Sequence, residues 1–385
     1  MNAQFKHEML PETTHDELAR QNFMQSLSVH VNRKMASGNK AVYEKNVKPK
    51  FEQKYQRPPQ NRHEILHEMQ TQSYYHWWSI LKRFQQEMMW ESVSSSVERQ
   101  LPNLIKKAKN IQNQIGSLIL DPNFQTPAYM TEVDIHCMPG GYHTEIIEND
   151  LAAGAVYDRG VHVYGRGWLG TLNDHMGHSI IQNYLQPNYP HFEPKKILDM
   201  GCAVGHSTLP YVDAYPNAEI HGIDIGSPML HYGHARAEVL NKRVHFSQQN
   251  AEKTNYPDGF FDLIVSHILL HEIPAYAIEN VMQECYRLLS PGGIMVHLDA
   301  PLYRHMDAYT AFISDWQTIN NNEPFWGEMR ELDLTAIVKK AGFSSEKVSE
   351  NFIRKYSCKT PQNSSSQKTS PVSTRPTWFV IAAQK

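Results

Sequence analysis

The chain has 385 residues, a formal charge of −3 and a sequence pI near 6.7, with 41% hydrophobic and 20% charged residues. That composition supplies a sizeable globular core and disfavours nucleic acid or an acidic membrane as a bulk polyanionic partner. The start MNAQFKHEML has no apolar signal core, and no run approaches the ~18–20 apolar residues that cross a bilayer. Cys137, Cys202, Cys285 and Cys358 show no CxxC spacing, so a cytoplasmic protein with reduced thiols is expected.

Residues 1–36 carry a weak helical pattern, and 37–62 read as a polar, locally basic connector closed by Pro58-Pro59. From Arg62 to Gln100 a helix is expected, because Trp77, Leu81, Phe84 and Met88 recur on one face, with Tyr74, Trp78 and Val93 widening it. That face is expected to be core; otherwise Trp77, Trp78 or Trp90 would line a pocket or a dimer contact. After Pro102, Leu104, Ala108, Ile111, Ile115 and Leu118 predict another helix that Asp121-Pro122 stops. Residues 1–125 are thus expected to form a mostly helical N-terminal domain.

Residues 126–190 predict a hairpin and a lid or linker segment. Val133, Ile135 and Cys137 alternate, Pro139-Gly140-Gly141 is a turn signal, and 142–147 would return as a second strand. His136, Cys137 and His143 match no zinc spacing, so no metal site is expected. Aromatic, arginine and glycine residues then crowd Val156–Trp168, and the Pro-punctuated run 188–195 places a boundary near residue 190.

The densest signals follow. Ile197 and Leu198 end a short apolar strand at Asp199; the loop Gly201-Cys202-Ala203-Val204-Gly205 feeds a helix, and a second strand, 220–225, carries Asp224 near its end. Glycines let the backbone turn tightly and approach a ligand, and an acid beyond the second strand suits a ribose diol. The loop is neither GxGxxG nor a P-loop, and Asp199 would repel a phosphate while welcoming a cationic ligand. Further on come Asn250-Ala251-Glu252, the turn Pro257-Asp258-Gly259-Phe260-Phe261-Asp262, and Arg287-Leu288-Leu289-Ser290-Pro291-Gly292-Gly293.

In this order and spacing, over roughly residues 190–385, these motifs resemble the class I S-adenosylmethionine (SAM) dependent methyltransferases, with a type 11/25-like core. Ala203 departs from the usual middle glycine and Asn250 from the more frequent Asp. The resemblance implies an α/β fold: a Rossmann-like seven-stranded sheet flanked by helices over 191–385, its last two strands antiparallel around an elongated mobile loop at 359–376. It implies that Asp199, Gly201, Cys202, Ala203 and Gly205 hold the methionine part of SAM and that Asp224 takes the ribose hydroxyls. Ile225 and Met229 would pack on the adenine, and Asn250 and Ala251 would contact its polar edge. Ser266 would lie on the cofactor side of strand four, and Tyr164 or Arg166 would fold over the cofactor from upstream.

Methyl transfer to a hydroxyl or ammonium needs a proton acceptor. His271 is the first candidate, with Glu272 to orient or replace it and His267 next. The expected activity is methylation of a small molecule, leaving S-adenosylhomocysteine (SAH), with the acceptor enclosed by the N-terminal helices and residues 302–326. The alternatives are a protein or RNA methyltransferase and a non-catalytic SAM-fold assembly partner. A homodimer is compatible with the Met- and Trp-rich stripe.

Overall fold

The structure is a computed structural model that describes residues 3–356 and 377–385. At its centre is a sheet of eight strands: β1 (Ser117–Ile119), β2 (Lys196–Met200), β3 (Glu219–Asp224), β4 (His245–Gln248), β5 (Phe261–His267), β6 (Leu289–Asp299), β7 (Val348–Arg354) and β8 (Thr377–Gln384). Their order is β1-β4-β3-β2-β5-β6-β8-β7, parallel except where β8 runs antiparallel to β6 and β7. Strands buried on both faces read as unbroken apolar runs, which is how Leu263-Ile264-Val265 reads. Alternation sends Ile197, Leu263 and Val265 to a core with Ile180 and Tyr211 on one face. Leu198, Ile264 and Met295 go to a core with Ile278 and Val281 on the other.

The sheet has one strand more than the seven expected, and the extra one comes from the N-terminal half. The helix predicted through Leu118 stops at Lys109. Glu238 accepts the amides of Ile115 and Gly116, and Ser117–Ile119 then pairs beside β4. The expected hairpin is replaced by short helical turns at Ala128–Thr131 and Ile135–Cys137, followed by a helix at Ala152–Gly165. The loop expected at 359–376 lies outside the described residues.

Residues 37–55 are helix rather than connector. His15–Tyr55 runs nearly without a break, with wider π-type turns at His30–Met35 and Tyr43–Val47, until Gln56 turns left-handed. From Val31 onward its buried residues, Val31, Met35, Asn39, Tyr43, Val47 and Phe51, recur every fourth position. A 3.6-residue helix would rotate that stripe away from its partner, and the wider turns absorb the drift.

On the long helix Ser73–Glu98 the expected core stripe is split: Trp78 and Val93 are buried, but Trp77 at 63% and Phe84 at 55% of full exposure face outward. The buried face carries Trp78, Lys82, Gln85, Gln86, Met89 and Trp90. Trp78 stacks on Trp316 of the helix Ala308–Asn320 at 3.5 Å, which joins residues 302–326 to the N-terminal helices. Met89, Trp90 and Val93 pack with Val156, Val204 and Tyr232, so the same helix also reaches the glycine loop. No helix among the described residues is long and apolar enough to cross a membrane.

Candidate functional site

The C-terminal ends of parallel strands, where the order reverses between β2 and β5, are where open α/β sheets bind ligands. Here Gly201, Ala203 and Gly205 all have positive φ, at 69°, 47° and 77°. At φ 69° Gly201 sits in the left-handed region that glycine enters without steric cost. Ala203 holds a left-handed conformation at a cost of about 1 kcal/mol. Its amide donates to Oδ2 of Asp224 (2.9 Å), while the Gly226 amide donates to Oδ1 (2.9 Å). Burial pushes the Asp224 carboxyl up from its usual value.

A cavity opens here. Of the residues the resemblance implies, Gly201, Ala203, Asp224, Ile225, Met229, Asn250 and Ala251 line it, as do His267 and Glu272 of the proposed chemistry. Asn250 Oδ1 accepts the Glu252 amide (2.9 Å), so its side chain is already ordered at the wall.

The remaining candidates lie off the cavity wall. Asp199 accepts from Thr208 Oγ1 (2.6 Å) and meets His267 Nδ1 at 3.2 Å, bracing the loop from beneath. Cys202 packs under the loop toward Gly222, and Gly205 packs toward Phe246. Ser266 Oγ pairs with His297 Nδ1 (2.7 Å). Tyr164 lies with its ring 5.4 Å from Lys82 Nζ, and Arg166 caps the helix Ala152–Gly165 with φ 52°. The aromatic residues that the upstream segment does bring to the cavity are Tyr129, Tyr142 and Tyr157, which sequence reasoning passed over. Burial drives the Tyr142 and Tyr157 hydroxyls far up in pKa and keeps them neutral donors.

The three candidate bases differ. His267 has both ring nitrogens engaged, Nδ1 with Asp199 and Nε2 with the Tyr211 hydroxyl at 3.2 Å. His271 is buried behind the wall, where Nδ1 meets Asp299 Oδ1 at 2.7 Å and the ring stacks on Trp326 at 4.5 Å. Burial alone would lower its pKa, but the Asp299, Glu323 and Glu272 carboxylates together outweigh burial and raise it. Glu272 faces the cavity, and its Oε1 meets His136 Nε2 at 3.0 Å and accepts from Tyr142 at 3.4 Å.

A hub beside the loop was not foreseen. Asp158, buried, accepts from Tyr232 (2.8 Å) and Gln4 Nε2 (3.1 Å) and pairs with His206 Nε2 (2.8 Å) and Arg236 Nε (3.4 Å). Burial alone would raise its pKa, but Arg236, His206 and His7 outweigh burial and hold it well below the usual range. The only signal in the sequence was an acid within an apolar helical pattern.

Residues 197–293 match the family described as "Methyltransferase domain". Over 108 residues the chain is 34% identical to a demethylmenaquinone methyltransferase of Thermus thermophilus, covering 28% of this chain and 48% of that protein. It is 30% identical over 172 residues to the ubiquinone/menaquinone biosynthesis C-methyltransferase UbiE of Methylobacterium nodulans, covering 43% of this chain and 60% of that one. Among solved structures, a Haemonchus contortus phosphoethanolamine N-methyltransferase aligns with TM-score 0.41 and 18% identity, over 51% of this chain and 44% of that chain. The chain thus spans about half the length of the first of these relatives. Sheet order, glycine loop and family match together make this a chain with a methyltransferase domain of the class I, SAM-dependent superfamily.

Proposed function

We propose that the protein transfers a methyl group from SAM to a small-molecule acceptor enclosed in the cavity between the sheet and the N-terminal half. The observation that carries this reading is the makeup of one cavity. Its floor is the positive-φ loop and the half-buried Asp224, and its roof is Tyr129, Tyr142 and Tyr157 from upstream of the matched region.

SAM supplies an electrophilic methyl group on a sulfonium. The chain's own residues bind, orient and exclude water: Asp224 offers two carboxylate oxygens where ribose hydroxyls would sit, with Ile225 and Met229 as the apolar bed beside them. Holding two reactants at attack distance is worth roughly 7–11 kcal/mol in model reactions, so enclosure does much of the work. The tyrosine faces and the side chains of Ile268, Leu269 and Ile273 suit an acceptor with an aromatic or apolar body. The quinone precursor named for the Thermus relative has that character, although the roof lies outside the matched region.

The test is transfer from methyl-labelled SAM to two fractions of cell extract, metabolites and macromolecules, alongside calorimetry with SAH. Label entering metabolites, lost in Asp224→Ala, supports the reading. Label confined to protein or RNA, or failure to bind SAH, overturns it.

A further inference from the structure

Behind the Glu272 wall, side chains from three separate segments converge. His136 comes from the helical turn Ile135–Cys137, His271 and Glu272 follow β5, and Glu323 follows the helix Ala308–Asn320. One ligand-type atom from each lies within 4.8 Å of every other. His136 Nδ1 stands 2.5 Å from Glu323 Oε1, and His271 Nε2 stands 3.8 Å from Glu272 Oε1.

We propose that His136, His271, Glu272 and Glu323 form a binding site for a single divalent first-row transition metal ion of the zinc, manganese or iron(II) type. This departs from the sequence expectation, which looked for ligands at close spacing.

Three features point to a cation rather than to a closed ion-pair network. First, Glu272 Oε2 and Glu323 Oε2 have no hydrogen-bond partner, and the Glu323 side chain is fully buried. Asp299 included, three carboxylates face two histidines, while the buried cations Lys82 and Arg330 act on Glu323 and Asp299 through space. Second, the Asp299 carboxylate at 2.7 Å fixes Nδ1 of His271 and turns Nε2 toward the cluster, the usual way a carboxylate orients a metal-binding imidazole. Third, the scaffold is braced. His136 and Cys137 hold positive φ of 57° and 59°, and the His136 carbonyl accepts from Trp90 Nε1 (2.8 Å) and Gln86 Nε2 (3.1 Å). Asn322 ties the Glu323 loop to the same turn by donating to the Asp134 carbonyl (2.8 Å).

Two imidazoles with two carboxylates favour zinc, manganese or iron(II) over magnesium or calcium. Such ions hold ligands at about 2.0–2.2 Å, so side-chain rotation would have to draw the four atoms closer. Because Glu272 also faces the cavity, the ion would stand at its acceptor end, able to coordinate an anionic oxygen or sulfur of the bound molecule. That last step rests on the methyl-transfer reading; the metal site itself does not.

The test uses the full-length chain, free of any histidine tag, dialysed against Zn2+ or Mn2+ and analysed for bound metal. Expected is about one equivalent per chain, falling at least ~10-fold in Glu323→Gln and in His136→Asn, where asparagine tolerates the left-handed backbone. Circular dichroism of each variant confirms folding. Bound Co2+ in the wild type should show the d–d absorption of mixed nitrogen and oxygen ligation. Wild-type protein that retains almost no metal, or one equivalent that survives in both folded variants, overturns the proposal. SAH binding measured separately without metal tests the methyltransferase reading, so either can fail alone.

Discussion

Nε2 of His206 lies 2.8 Å from Oδ1 of Asp158, which joins the residue after the glycine loop to a helix of the N-terminal half. Because Gln4, Tyr232 and Arg236 share that carboxylate, one buried charge holds three parts of the chain together. Removing one member of a buried charge network typically costs about 3–5 kcal/mol. Asp158→Ala should therefore lower unfolding free energy by about that much in urea titration, whereas an exposed control such as Asp16→Ala should change little.

The buried His297 has its pKa pushed down to about 4 by burial. In the unfolded chain the imidazole takes up its proton near 6.5, so below that pH the unfolded state binds a proton that the folded state refuses. Stability is complete above pH 6.5 and is lost as pH falls toward about 4, by up to about 3 kcal/mol from this group. Urea midpoints across this window should slope less steeply in His297→Asn than in the wild type. Equal slopes would show that His297 is not the group responsible.

Asp224 offers one oxygen to the loop amide of Ala203 and the other to Gly226. An amide in its place keeps one acceptor and loses the charge. Hydrogen bonds to charged groups are worth about 1.5–3 kcal/mol, so Asp224→Asn should weaken SAH binding roughly 10- to 100-fold by calorimetry. An unchanged affinity would mean that the ligand lies elsewhere.

The Trp78–Trp316 stack is buried, and each indole N–H is used, Trp78 donating to the Val31 carbonyl and Trp316 to Ser79 Oγ. Truncating a buried tryptophan costs about 3–5 kcal/mol. Trp316→Ala should lower the melting temperature and speed proteolysis within 15–55, the helical run that packs on this pair. Cleavage at the wild-type rate would show that the run is held by other contacts.

The parallel sheet and its loop were legible in the sequence because doubly buried strands such as Leu263-Ile264-Val265 are continuous apolar runs punctuated by glycine. The His15–Tyr55 helix was not, because a four-residue repeat matches no regular helix unless wider turns correct it. On Ser73–Glu98 the expected stripe was only partly right: Trp78 and Val93 are buried, but so are Lys82, Gln85 and Gln86 while Trp77 and Phe84 are not, so polarity misreported depth. Burial lowers the Lys82 pKa to about 8, a cost that the ammonium bears for facing inward. The roof tyrosines and the His136–Glu323 contact join residues far apart in sequence, and short-range spacing carries no trace of such pairs.

The three residues of β1 cover the outer side of β4, so the sheet's parallel edge is closed by the chain's own first third. A recombinant fragment starting near residue 190, cut to resemble an isolated methyltransferase, would bare the β4 backbone and the surface around Met229 and Tyr232. Unpaired strand edges recruit other chains. Such a fragment should precipitate rather than behave as a minimal enzyme.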